Sequence, residues 1–267
     1  MSEDYFLGHD NREWDRLSAQ HGLWGPALLA SLAEAGLGRG ASVLEVGCGA
    51  GDLLADLAAL VGTHGVVAGL ERDPVAAERA RARVPSATIT VGDLRTDDLG
   101  GPWDAVVARW VLSFVPEVPL AVTRMVEALR PGGLFVVQDY VHDGFLVWPH
   151  HPAIDRVIAA FRAAYKHRGG DLWVGASLPG LLASLGVDAT VRPEIRAGRP
   201  GEPVWRWVER FLHEHIDTVI DDGHLTPEER AAFEGAWATH LTRQDAILFT
   251  PMQVTVWGRA GSRPRGR

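Results

Sequence analysis

Four acidic residues sit where a small ligand could be held. Glu45 lies two residues before the first glycine of Gly47-Cys48-Gly49-Ala50-Gly51-Asp52, and the run Val43-Leu44-Glu45-Val46 leads straight into that turn. Glu71, Asp93 and Asp139 each close a later short, β-favouring run. Glycines allow positive φ and close approach of backbone to a ligand, and the helix-period run Leu53–Leu60 that follows offers free N–H groups at its start. A strand, a tight turn and a helix in that order signal a nucleotide site. A dinucleotide site of the form G-x-G-x-x-G would need a third glycine at position 52, where the chain has Asp52. A carboxylate beside the turn would repel a pyrophosphate and suits a ligand bearing an amine and a sulfonium. Glu71 lies 20 residues past Gly51, near the offset at which α/β folds place an acid to receive both ribose hydroxyls. Asp73-Pro74 beside it reads as an N-cap and first helical residue, which leaves Glu71 as the better ribose ligand. Asp93 can accept from an exocyclic amine; a plain turn residue is the other reading.

These acids need strands to carry them. The spacing predicts strands at 43–46, Gly65–Glu71, Ala87–Val91, Trp103–Ala108 and Leu134–Val137, alternating with helices through about Leu60, Arg83 and 117–129. Strands so spaced form a parallel sheet with both faces covered. Leu129-Arg130-Pro131-Gly132-Gly133 reads as a helix stop. Residues 4–35 read as helical with a break at His21-Gly22 and a restart at Pro26, and Glu13, Arg16 and Gln20 share one face at i, i+3 and i+7. That face is either a solvated stripe or a lid whose Arg16 and Gln20 meet the ligand. Tyr5, Phe6, Trp14 and Trp24 argue that the region packs against something. Further on, helices are predicted at 151–167, 177–185 and Pro203–Ile220, and a capping box at Thr226-Pro227-Glu228-Glu229 starts another. Strands are expected at Ala189–Arg192 and Met252–Trp257.

The series Glu45-Val46-Gly47-Cys48-Gly49-Ala50-Gly51, the acid Glu71, Gly92-Asp93, Trp103–Val107 and Leu129–Gly133 resembles the motif order of the class I S-adenosylmethionine (SAM) dependent methyltransferases over about residues 40–140. Tyr5-Phe6-Leu7-Gly8-His9 with Arg16-Leu17 and Gln20 is similar to a branch of bacterial small-molecule methyltransferases. The resemblance implies a Rossmann-like α/β fold: a seven-stranded, mostly parallel sheet with helices on both faces, its last strand antiparallel beside the fifth, and a helical cap. It implies that Gly47, Gly49 and Gly51 admit the methionine and ribose parts of SAM, that Glu71 takes the ribose hydroxyls with Arg72 beside it, and that Asp93 and Leu94 frame the adenine. Glu45 would hold the methionine amine, directly or through water, and Arg109 would line the methionine end. S-Adenosylhomocysteine would be the product. One unit over residues 1–258 is expected, with a lid at 4–35, cap insertions at 141–176 and 197–245, and a disordered basic tail at 259–267.

A methyltransferase must align a nucleophile, exclude water and, for a weakly acidic acceptor, remove a proton. Tyr140, His142, His150 and His151 follow the fifth strand, and with Asp139 they are the candidate bases, none preferred decisively. Trp148, Trp173, Trp205, Trp207 and Trp237 fall in the variable half, where they would line an aromatic acceptor pocket or simply pack the cap. Trp205 and Trp207 alternate so that both cannot face one core. The net charge of −8 disfavours a nucleic-acid partner, and the single Cys48 excludes an internal disulfide and a cysteine-based metal site, so no metal is expected. The sequence has no membrane-length apolar run and begins with an acidic stretch, Ser2-Glu3-Asp4, which together read as cytoplasmic, with no membrane partner. The reading is a methyltransferase acting on O or N of a small molecule, with secondary metabolites among the candidate acceptors; a homodimer is compatible with it. The rivals are a peptide or protein methyltransferase, a SAM-binding regulator without turnover and, weakest because of Asp52, a nicotinamide oxidoreductase.

Overall fold

The computed structural model describes residues 11–261; Tyr5–His9 and the basic residues beyond 261 lie outside them. The chain runs α1 (Asn11–Glu34), β1 (Ser42–Val46), α2 (Asp52–Val61), β2 (Val66–Glu71), α3 (Pro74–Arg83), β3 (Thr88–Val91) and β4 (Trp103–Arg109), then a 3-10 turn at Leu112–Phe114, α4 (Val118–Glu127) and β5 (Leu129–Val141). It continues with β6 (Leu146–Trp148), α5 (Pro152–His167), α6 (Val174–Ser184), β7 (Ala189–Glu194), β8 (Ala197–Gly198), α7 (Pro203–Asp221), α8 (Pro227–Leu241), β9 (Ile247–Phe249) and β10 (Met252–Arg259). The main sheet has the order β3-β2-β1-β4-β5-β10-β7, with β1 to β5 parallel and β10 antiparallel to both β5 and β7. This is the expected Rossmann-like sheet.

Period-2 burial builds both faces. Leu44, Val106, Ala108, Phe135 and Val137 face α4 and α6, whereas Val43, Ala105, Val107, Leu134 and Val136 face α2, α3 and the second half of α1. The strand order reverses between β1 and β4, so their carboxyl ends open a crevice there. A third core, around Trp205, Phe233, Trp237 and Phe161, joins α5, α7 and α8 into the cap.

Four local expectations are corrected. First, α1 is continuous through His21-Gly22 and Pro26. An internal proline costs about 3 kcal/mol, but Trp24, Leu28 and Leu32 are fully buried, and each such side chain contributes roughly 1.5–3 kcal/mol. Second, β5 starts at Leu129, not Leu134. Leu129 already pairs with Trp103, and residues 130–133 bulge out before pairing resumes at Ala105–Leu134. Third, the cap holds a small sheet, β6-β9-β8, whose two- and three-residue strands carry too little pattern to be read. Fourth, Arg259 belongs to β10 and donates to the carbonyls of Gly132 and Ala35, so an unstructured tail cannot begin there. Smaller shifts put the start of α6 at Val174 and the end of α4 at Glu127.

The predicted capping box on α8 is present: Thr226 Oγ1 accepts from the Glu229 amide at 3.2 Å, and Glu229 accepts from the Thr226 amide at 2.9 Å. Thr226→Ala should lower stability by about 1 kcal/mol in thermal denaturation, without changing ligand affinity.

Candidate active site

At the end of β1 the chain turns through Gly47, with φ +66°. A Cβ there would lie 2.3 Å from Val111 Cγ2, so only glycine fits. Gly51, with φ +83°, precedes α2, and its bare Cα lets α3 approach, a Cβ there being 3.1 Å from Ala80 Cα. Gly49 has open space where a Cβ would stand. Cys48 fills the turn beneath Gly69, and burial, then Glu45 and Glu71, push its thiol far above the usual range, leaving it an inert filler.

This loop floors a cavity of about 530 Å³. Glu71 projects from the end of β2: Oε2 accepts from the Gly49 amide at 2.8 Å and Oε1 from the Asp73 amide at 2.9 Å. Burial raises its carboxyl above the usual range, with those amides opposing. Asp73 caps α3 by accepting from the Val75 and Ala76 amides, as expected. Asp93, after β3, pairs with Arg95 at 2.8 Å, which holds its carboxyl low, and Arg72 and Leu94 line the cavity beside it. Glu45 is 3% exposed, with Oε2 unpartnered by any described residue; burial raises it well above its usual range, and Arg109 opposes.

α1 roofs the other half. Arg16 donates to both Glu13 oxygens at 2.6 Å and to Gln20 Oε1 at 2.7 Å, and Trp207 Nε1 donates to the same oxygen at 2.9 Å. Glu13, Arg16 and Gln20 are all buried, so the solvated-stripe alternative is overturned: α7 covers this face. Burial works to raise the Glu13 carboxyl, but Arg16 and His215 outweigh it and hold it below the usual range. Arg109 at the end of β4 donates from Nη1 to His21 Nδ1 at 2.8 Å and lies 4.9 Å over the Trp110 ring. Trp110 itself has φ +52°, a conformation costing a non-glycine residue roughly 1–2 kcal/mol. Its Nε1 bond to Gln253 at 2.7 Å and its amide bond to the Gln138 carbonyl at 2.9 Å hold it there, with its ring stacked on Tyr140.

Of the five candidate bases, Tyr140 alone lines this cavity. Asp139 points to the other face of β5, accepts from the Ser113 and Tyr140 amides and is fully buried, its carboxyl raised by burial to about 6. His142 is locked by Arg162, which donates to its Nδ1 at 3.0 Å, and burial, then Arg162, lowers it to about 3. His151 caps α5 through Nδ1, and His150 is exposed beside Asp155. The chain turns away from the cavity after Val141 into β6, which carries these histidines out of reach. The five cap tryptophans are also absent from the wall. Trp205 and Trp237 pack together in the cap core, Trp207 rests against Trp24, and Trp148 and Trp173 are among the exposed apolar residues. Trp110, Phe114, Tyr165 and Phe211 supply the aromatic wall instead. Trp110, beside Arg109 at a strand end, had a positional signal; Tyr165 and Phe211 had only their place on buried helix faces.

A methyltransferase-domain family model matches residues 43–133. Trans-aconitate 2-methyltransferase of Deinococcus radiodurans is 32% identical over 176 residues, covering 62% of this chain and 67% of that protein. The chain belongs to the class I SAM-dependent methyltransferases. A dTDP-3-amino-3,4,6-trideoxy-α-D-glucopyranose N,N-dimethyltransferase of Streptomyces venezuelae is 34% identical over 42% of this chain and 48% of its own length. The chain spans about half the length of the first curated relatives it matches. The solved phosphoethanolamine N-methyltransferase 2 of Haemonchus contortus, bound to S-adenosylhomocysteine, shares the fold, with a TM-score of 0.58, 16% identity and coverage of 98% of this chain and 61% of that one.

SAM is the cofactor of this class, and the residues of the cavity suit it. Gly49 leaves open space in the turn, Glu71 is bonded to its amide, and the orphaned Glu45 oxygen matches a cationic group. Among the described residues no helix is long and apolar enough to cross a membrane, and no histidine, cysteine or acid cluster could hold a metal.

Proposed function

We propose that this methyltransferase modifies an oxygen or nitrogen of a small, flat, largely apolar molecule, in keeping with secondary metabolism. The observation that carries the reading is the aromatic wall, Trp110, Phe114, Tyr140, Tyr165 and Phe211, continuous with the glycine turn in one cavity under α1. Rings of this kind bury large flat surfaces, and their offset stacking favours planar partners. The Deinococcus and Streptomyces relatives both act, by name, on small molecules, the second as an N-methyltransferase.

SAM supplies an electrophilic methyl on a sulfonium that is already a good leaving group. Glu71 would accept from the ribose hydroxyls, Asp93, Leu94 and Arg72 would frame the adenine, and Gly49 leaves room for backbone approach in the turn that Gly47 and Gly51 shape. Glu45 would hold the methionine amine and Arg109 the methionine carboxylate, since both side chains line the cavity. Arg16 and Gln20, fixed by Glu13 and Trp207, close the roof and exclude water. Burial pushes the Tyr140 hydroxyl above its usual range, so it stays a neutral hydrogen-bond donor and orients the acceptor instead of removing its proton. Such a site serves nucleophiles already competent near neutral pH, an ionised oxygen or an unprotonated amine.

Incubation with methyl-labelled SAM and fractionated cell extract should label the small-molecule fraction; label confined to polypeptide would overturn the acceptor class. With an acceptor in hand, Tyr140→Phe should lower kcat/KM about tenfold with S-adenosylhomocysteine affinity unchanged.

A further inference from the structure

We infer that His21, on the roof helix, is a positioning residue that aims the Arg109 guanidinium through a relay, Asp56–His21–Arg109. This rests on the reading of Arg109 as the partner of the methionine carboxylate. Asp56 Oδ2 lies 2.9 Å from His21 Nε2, and Arg109 Nη1 lies 2.8 Å from His21 Nδ1. The chemistry fixes every proton in this chain. A guanidinium carries only donors, so Arg109 donates and Nδ1 must hold a lone pair. The imidazole proton is then on Nε2, where the Asp56 carboxylate accepts it. Asp56 thereby selects the one tautomer that can hold Arg109.

The helix is built around this ring. A Cβ at position 25 would stand 2.8 Å from His21 Cε1, so the imidazole lies across Gly25, one turn along α1. Glycine in a helix interior costs about 1 kcal/mol, and here it makes room for the ring. His21-Gly22, which reads in sequence as a helix break, is in the structure part of a device coupling three elements: α1 carries His21, α2 carries Asp56 and β4 carries Arg109. A second Arg109 interaction places the guanidinium 4.9 Å over the Trp110 ring, beside the cavity that Arg109 lines.

A neutral His21 is a condition of the geometry. Protonation would put a donor on Nδ1 against the Arg109 donor and bring two cations together. The charged groups facing the ring are Arg109 from β4 and Asp52 and Asp56 from α2, with Glu45 of β1 acting on Arg109 in turn. Burial, then Arg109, lowers His21 below its usual value, with the two aspartates opposing. The relay is therefore intact above pH 6.5 and is lost as pH falls through that lowered value.

The test is calorimetry with two ligands, S-adenosylhomocysteine and methylthioadenosine, which lacks the amino-acid end. His21→Phe should weaken S-adenosylhomocysteine about tenfold at pH 7.5 and leave methylthioadenosine within about twofold. His21→Asn, which places an amide oxygen near the position of Nδ1, should restore most of the loss. Asp56→Ala, at a part-exposed position that leaves the fold standing, should reproduce a smaller loss for the same ligand alone. As pH is lowered from 7.5 through the depressed His21 value, wild-type affinity should fall more than that of His21→Asn. The acid titration of Glu71 and Glu45 is common to both proteins, so the difference belongs to His21. Unchanged affinity in His21→Phe, or equal loss of both ligands, would overturn the relay. Arg109→Met separates the two levels: if it binds S-adenosylhomocysteine normally, the carboxylate reading of Arg109 falls and the relay with it, whereas loss in Arg109→Met with none in His21→Phe overturns the relay alone.

Discussion

Glu71→Ala should weaken S-adenosylhomocysteine binding by about a hundredfold or more in calorimetry. Two effects act together. In the structure the carboxylate accepts from the Gly49 and Asp73 amides, and so ties the glycine turn to the start of α3. Hydrogen bonds to a charged group contribute about 1.5–3 kcal/mol each, and those amides lose their acceptor in the alanine variant. The same carboxylate is the proposed acceptor for the ribose hydroxyls, so ligand contacts disappear with the loop's support. Glu71→Gln should fall between the two, since an amide offers one oxygen where the carboxylate offers two. Methylthioadenosine should suffer as much as S-adenosylhomocysteine, because both carry the ribose; this separates Glu71 from His21, whose effect is confined to the amino-acid end. Wild-type affinity in Glu71→Ala would remove Glu71 from the site.

The glycine turn and the strand-end acids of this cavity were legible in the sequence because their placement is local. Gly47, Gly49 and Gly51 lie within one turn, and Glu71 and Asp93 each sit at the end of a strand whose length and composition announce it. Parallel strands place such ends side by side, so a one-dimensional reading maps directly onto the crevice. The caps at Asp73 and Thr226 were legible for the same reason: donor and acceptor are two or three residues apart. The aromatic side of the cavity behaves differently. Its wall draws Trp110 from a strand end, Tyr140 from β5, Tyr165 from α5 and Phe211 from α7, and helical periodicity says which residues share a face without saying which faces meet. The alternation of Trp205 and Trp207 did show that they must part company. What it could not show is that Trp205 enters the cap core while Trp207 reaches α1 and fixes Gln20. His142, His150 and His151 failed as pocket residues because β5 runs on to Val141 before the chain departs, and Pro26 failed as a helix breaker because buried Trp24, Leu28 and Leu32 outweigh its cost.

Gly47→Ala should destabilise the protein by about 2–5 kcal/mol and weaken S-adenosylhomocysteine about a hundredfold, and a double-mutant cycle can divide the cause. One part is conformational. The φ of +66° at Gly47 costs a residue with a Cβ roughly 1–2 kcal/mol wherever its neighbours stand. The other part is steric: the new methyl would lie 2.3 Å from Val111 Cγ2 and 3.3 Å from its other methyl. Valine is stiff at χ1, so it cannot swing clear cheaply, and overpacking of this kind typically costs about 1–3 kcal/mol. Val111 also lines the cavity, so any movement that relieves the clash intrudes on the ligand. In Val111→Ala only Cβ would remain, at 3.4 Å, which is ordinary contact. The Gly47→Ala/Val111→Ala protein should therefore be more stable than the sum of its single variants predicts, by roughly 1–3 kcal/mol, and should regain part of the lost affinity. The conformational part should persist in the double variant as a residual destabilisation. Additivity within about 0.5 kcal/mol would mean that backbone conformation alone demands glycine at position 47 and that contact with Val111 does not shape the cradle.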